Sequence, residues 1–97
     1  MREVVFADEA LRHFSRLPKD DRSFLKEGIR RHLSEANPFQ TSRNKFRLRR
    51  VSPYAEYELR LGCWRVFYRL REERIEVTMI GEKRGNILLI GGEEFSL

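Results

Sequence analysis

An α+β fold, with an N-terminal strand and a helical hairpin packed on a mainly antiparallel β-sheet, is what the order of patterns along this chain predicts. Apolar residues recur at three- and four-residue spacing only in the first third. Past residue 44 they alternate with charged residues, as on a half-buried strand. The alternating runs are separated by short turn signals, and such turns can join only antiparallel neighbours. Ninety-seven residues suit one domain, spanning 1–97.

The elements follow in order. Val4-Val5-Phe6 is a short β-type run ending at Asp8, a good N-cap. Ala10, Leu11, Phe14 and Leu17 then share one helical face, and Pro18 stops the helix. Lys19-Asp20-Asp21 opens a second helix with the stripe Leu25, Ile29, Leu33 and Ala36, closed by Asn37-Pro38. A polar loop over 37–44 leads to a strand from Lys45 to Ser52, with Phe46 and Leu48 on an apolar face and Lys45, Arg47 and Arg49 on a cationic one. Ser52-Pro53-Tyr54 is the next turn. Tyr57, Leu59 and Leu61 then alternate with Glu56, Glu58 and Arg60, and after Gly62 the set Trp64, Val66, Tyr68 and Leu70 alternates with Arg65, Phe67, Arg69 and Arg71. A strand from Ile75 to Ile80 offers Ile75, Val77 and Met79 to the core, and Ile87 to Ile90 reads as a short strand after the Gly85-Asn86 turn. The first strand is expected at an edge of the sheet or paired inside it.

Composition narrows the function. The chain is 40% hydrophobic and 36% charged, a soluble folded composition, without an apolar run of bilayer length or a signal-type N-terminus. A cytoplasmic protein with no membrane partner is expected. The single cysteine, Cys63, can make no internal disulfide or cysteine-based metal site, so no metal, cofactor or redox chemistry is expected. The formal charge of +5 is unevenly spread: residues 43–71 carry nine basic and two acidic side chains, and the remainder is slightly acidic. Sixteen of the 20 basic residues are Arg, whose planar fork matches phosphate oxygens and stacks on bases. A nucleic acid is the indicated partner.

On the three central strands the outward positions hold Arg47 and Arg49, then Glu56, Glu58 and Arg60, then Arg65, Phe67 and Arg69. Same-face neighbours lie roughly 5–7 Å apart, so these groups are expected to form one patch of Arg around an aromatic. Such a sheet face suits single-stranded nucleic acid, with phosphates for the cations and bases for the ring. The competing reading is cross-strand Glu–Arg pairing on a wet face. His13 and His32 fall on the helices, away from this face.

The segment Tyr57-Glu58-Leu59-Arg60-Leu61-Gly62-Cys63-Trp64-Arg65-Val66-Phe67-Tyr68 resembles the central strand pair of the RelE/ParE superfamily of bacterial toxins from type II toxin–antitoxin systems. The order strand, helical hairpin, Phe46-Arg47-Leu48 strand, Gly62 hairpin and Ile80-Gly81-Glu82-Lys83-Arg84 end extends the resemblance over nearly the whole chain. It implies a RelE-like fold and a toxin that cleaves messenger RNA on the ribosome without a metal or small-molecule cofactor. By this resemblance Arg65 stabilises the charge developing at the cleaved phosphate, and Lys83 or Arg84 supplies a second cation. Glu58 is the candidate base, Arg60 joins the catalytic group, and Arg47, Arg49, Arg69 and Arg84 hold RNA. The implied partners are a cognate antitoxin, the ribosome and its message. Where RelE toxins carry two lysines before the Gly turn this chain has Glu56 and Glu58, and Ile87-Leu88-Leu89-Ile90 stands where they carry a tyrosine. These departures suggest a different branch. The superfamily also contains gyrase inhibitors of the ParE type, so a non-enzymatic inhibitor, or a member that only binds its antitoxin, is the alternative.

Overall fold

The structure, a computed structural model, describes residues 2–49 and 54–95. It has the expected α+β arrangement. Strand β1 (Val4–Phe6) and helices α1 (Asp8–Ser15) and α2 (Lys19–Ile29) precede β2 (Lys45–Arg47), β3 (Tyr57–Leu61), β4 (Trp64–Arg71), β5 (Arg74–Arg84), β6 (Ile87–Ile90) and β7 (Glu93–Glu94). The order across the sheet is β2-β3-β4-β5-β6-β7, antiparallel at every step. β1 lies parallel to β5 beside Ile75–Val77, on the edge that β6 occupies further along.

The helices begin and end slightly away from their sequence signals. The Ala7 N–H is still bonded to the sheet, at Val77 O (2.9 Å), while its carbonyl already accepts from the Leu11 N–H. Ala7 is therefore the cap and Asp8 the first helical residue, where its charge, with that of Glu9, complements the helix dipole. In α2, Leu25 and Ile29 are buried as expected, and so is Leu33 in the following π-helical turn, Arg30–Glu35. Ala36, expected to complete the stripe, is exposed in extended backbone. Gly28 brings α2 close to β3: a Cβ there would lie 2.5 Å from Leu61 Cδ1.

β2 has the opposite face assignment to the expected one. Its register pairs Lys45 with Leu59, Phe46 with Glu58 and Arg47 with Tyr57, so Lys45 and Arg47 face the helical layer and Phe46 faces away. Lys45 is only 5% exposed. Its ammonium donates to His32 O (3.2 Å) and Asn37 O (2.9 Å), carbonyls where the second helical segment ends. A cation there satisfies orphan carbonyls and meets the negative end of the helix dipole. Arg47 lies over the Tyr57 ring, 5.5 Å from its centroid, and donates to the Tyr57 hydroxyl. The β2 strand is short, and Arg50 to Pro53 of the expected strand and turn lie outside the described residues.

Two cores result, one on each sheet face. Ala10, Leu25, Ile29 and Leu33 pack on Tyr57, Leu59, Leu61, Val66, Tyr68, Ile75, Val77 and Ile80. Tyr68 stacks on Tyr57 at 5.4 Å and donates its hydroxyl to Pro38 O at 2.5 Å, and burial pushes its phenol pKa well up. The opposite face carries a smaller cluster of Ala55, Phe67, Met79 and Ile90, with Leu48, Leu88 and Phe95 against it. Alternation places Met79 beside Ile75 and Val77, but it faces the smaller cluster. A bulge where Phe67 pairs Met79 and Tyr68 pairs Val77 leaves Thr78 extra, and one extra residue reverses the faces beyond it. Phe67 is accordingly 1% exposed rather than open to bases.

Two outcomes test this packing. Gly28→Ala should lower stability by about 1–2 kcal/mol in urea unfolding, because the clash with Leu61 outweighs the roughly 1 kcal/mol helix-propensity gain. Burial, then the charges of Lys45 and Arg31, lower the His32 pKa from 6.5. The unfolded chain therefore binds that proton at higher pH than the folded chain. Stability should be level above pH 6.5, fall as pH drops below it, and level again past the folded-state pKa; His32→Gln should flatten the slope in urea midpoints.

Candidate nucleic-acid interface

The sheet face away from the helices is charged at one end, where the β3–β4 hairpin turns at Gly62-Cys63. Directly opposed residues of antiparallel strands share a face. The pairs Phe46–Glu58, Arg60–Arg65 and Arg65–Gly81 thus bring Phe46, Glu58, Arg60 and Arg65 together. Lys83, two residues beyond Gly81, follows on the same face. Its N–H donates to Cys63 O at 2.7 Å, which ties β5 to the hairpin tip and leaves the side chain exposed.

Glu58 organises this end. Its Oε2 lies 3.2 Å from Arg60 Nε and 3.4 Å from Arg65 Nε. The Arg65 Nη1 group also donates to Gly62 O (2.7 Å) and Trp64 O (2.9 Å). Glu58 and Arg65 side chains are each 14% exposed, so their attraction is less screened than that of Arg60, at 47%. Arg60 rests over the Phe46 ring at 4.3 Å from its centroid, and the ring holds the fork flat on the surface. Among the described residues nothing bonds the Arg65 Nη2 group. A mostly buried guanidinium fixed through Nη1, with Nη2 left to donate, can meet a phosphate without first losing conformational freedom.

The expected patch is only partly assembled. Glu58, Arg60, Arg65 and Lys83 come together. Arg47 is on the helical side, and Arg84, one residue from Lys83 and so on the other face, pairs with Glu82 at 3.1 Å. Arg49 is exposed in the bend after β2. Arg69 keeps the expected face but is bound to Glu76 at 2.8 Å, toward the other end. The Glu56 carboxylate accepts from the Leu70 N–H at 3.1 Å. Phe67 is covered by the smaller core, which separates the two charged ends of the face. Phe46 is the site residue that alternation assigned to the core. In a three-residue strand a one-residue difference in register exchanges the faces, so periodicity could not have found it. No group of His, Cys, Asp and Glu suited to a metal occurs among the described residues.

Removing the carboxylate that both arginines face should strengthen polyanion binding. Glu58→Gln is expected to raise affinity for single-stranded RNA by about threefold to tenfold at fixed salt, and Arg65→Ala to lower it by a similar factor. Arg47→Ala, on the other side of the sheet, should change it by less than about twofold. Filter binding over a salt series measures all three. The chain matches no protein-family model and no curated protein sequence, so the geometry and charge of these residues carry the functional reading.

Proposed function

We propose that this chain is the toxin of a type II toxin–antitoxin pair, a cytoplasmic endoribonuclease that cuts messenger RNA on the ribosome. One observation carries the reading: Arg60, Arg65 and Lys83 share one end of a sheet face with a single carboxylate, Glu58, in a chain whose hairpin resembles that of the RelE/ParE toxins. Three cations to one anion favour a phosphate.

The reaction needs little more than positioned charge. The ribose 2′-hydroxyl attacks the adjacent phosphorus, the new 2′-O–P bond forms as the P–O5′ bond breaks, and negative charge grows on the non-bridging oxygens between those events. Arg65, with Nη2 free among the described residues, faces that charge. Glu58 takes the 2′-hydroxyl proton once Arg60, the more exposed of its two partners, swings to the RNA backbone. Lys83 protonates the departing 5′-oxygen. The cognate antitoxin opposes the toxin by presenting acidic side chains to the same cations. The pairing of Glu58 with both guanidinium groups also favours a second reading, in which these residues form a fixed binding surface and the chain inhibits gyrase or binds only its antitoxin.

Induced expression separates the readings. The wild type should arrest growth with new message ends on the ribosome and no DNA damage, and Arg65→Ala should lower cleavage by about a hundredfold or more. Glu58→Gln should cut poorly although it binds RNA at least as well. Full cleavage by Glu58→Gln would remove it as the base, and arrest with DNA damage but intact message would favour the gyrase reading.

A further inference from the structure

On the opposite side of the sheet a cavity of about 300 Å3 opens between α1 and the strands. Its wall is apolar, from Leu17, Trp64, Ile80 and Leu89, and Arg16 and Arg84 stand exposed at its border. Three details suggest a ligand. Glu82, which also lines the cavity, is paired with Arg84 at 3.1 Å, so its charge is already answered and Arg16 supplies a net positive charge. His13 also lines the cavity, and its Nδ1 is buried with no hydrogen-bond partner among the described residues. Gly91, at φ 63°, lets the chain close against the other side of that ring; a Cβ there would sit 2.6 Å from His13 Nε2.

We infer that this cavity binds a carboxylate carried on a compact aliphatic or aromatic body, the body against Trp64, Ile80 and Leu89 and the carboxylate on Arg16 and Arg84. The volume is at the small end of ligand pockets, enough for one such group. An apolar wall supplies affinity, and two guanidinium groups at its border select charge over a neutral isostere. The site lies across the sheet from Glu58 and Arg65, on its helical face, and does not depend on the RNA reading. Two sources offer this chemistry, a free small acid and the C-terminal carboxylate of a peptide ending in an apolar residue.

Trp64 is the only tryptophan in the chain, so its fluorescence reports the cavity directly. Titration with hexanoate, hexanamide, acetyl-leucine and acetyl-leucinamide tests charge and source together. At least one acid should give a saturable change in emission, with its amide about tenfold weaker. Arg16→Gln and Arg84→Gln should each weaken the acid by about threefold to tenfold and leave the amide unchanged, the side chains being exposed and free of core packing. Binding of hexanoate alone assigns a free acid, and of acetyl-leucine alone a peptide terminus. Equal binding of acid and amide, or no saturable change with either acid in a chain that unfolds normally, overturns the inference.

Discussion

Strand β4 has to be covered on both sides. Val66, Phe67 and Tyr68 are consecutive and all essentially buried, and consecutive strand residues point to opposite faces. A single helical layer can shield Val66 and Tyr68 but not Phe67. The rest of the architecture meets that constraint: α1 and α2 close over one face, and Leu48, Ala55, Met79, Leu88, Ile90 and Phe95 close over the other. The bulge at Thr78 belongs to the same solution, because it turns Met79 toward Phe67 and leaves Val77 and Ile80 on the helical side. At roughly 1.5–3 kcal/mol per large apolar side chain buried, the smaller core is a substantial part of the molecule's stability.

Covering Phe67 also shapes the electrostatics. With the middle of the outer face apolar, its charges collect at the two ends, Arg69 with Glu76 at one and Glu58, Arg60, Arg65 and Lys83 at the other. At the first, Glu76 also faces Arg71 at 3.8 Å, so two cations share its carboxylate. The second has three cations for one carboxylate, so its positive field is not cancelled locally. Backbone carbonyls of the hairpin turn fix Arg65 from one side, and Phe46 supports Arg60 from below. A cationic surface held in place at a tight turn differs from a diffuse basic face, on which each long side chain must be ordered by its partner at an entropic cost.

Lys45 illustrates how a charge can belong to the fold rather than to the surface. In the sequence it is one of nine basic residues between 43 and 71 and looks like part of a nucleic-acid patch. In the fold it is buried, closing a helix end through His32 O and Asn37 O, and burial lowers its pKa. Arg47 beside it stacks on Tyr57. Counting charge along the chain therefore overstates the interface, since two of its cations are spent on the helical side.

Element type and order were legible because periodicity is a local property: the stripe of Leu25, Ile29 and Leu33, and the alternation through β3 and β4, could be read without knowing what they touch. The pairing of Arg60 with Arg65 across the Gly62 turn was legible for the same reason, since a tight hairpin sets its own register. What only the tertiary structure decided is which face each short or bulged strand turns inward. Three residues of β2 contain too little alternation to choose, and one extra residue at Thr78 reverses the choice in β5. Those choices rest on contacts distant in sequence, a lysine with a helix end and a second core with the last strands. They reduced an eight-residue outer patch to a compact site beside the hairpin turn.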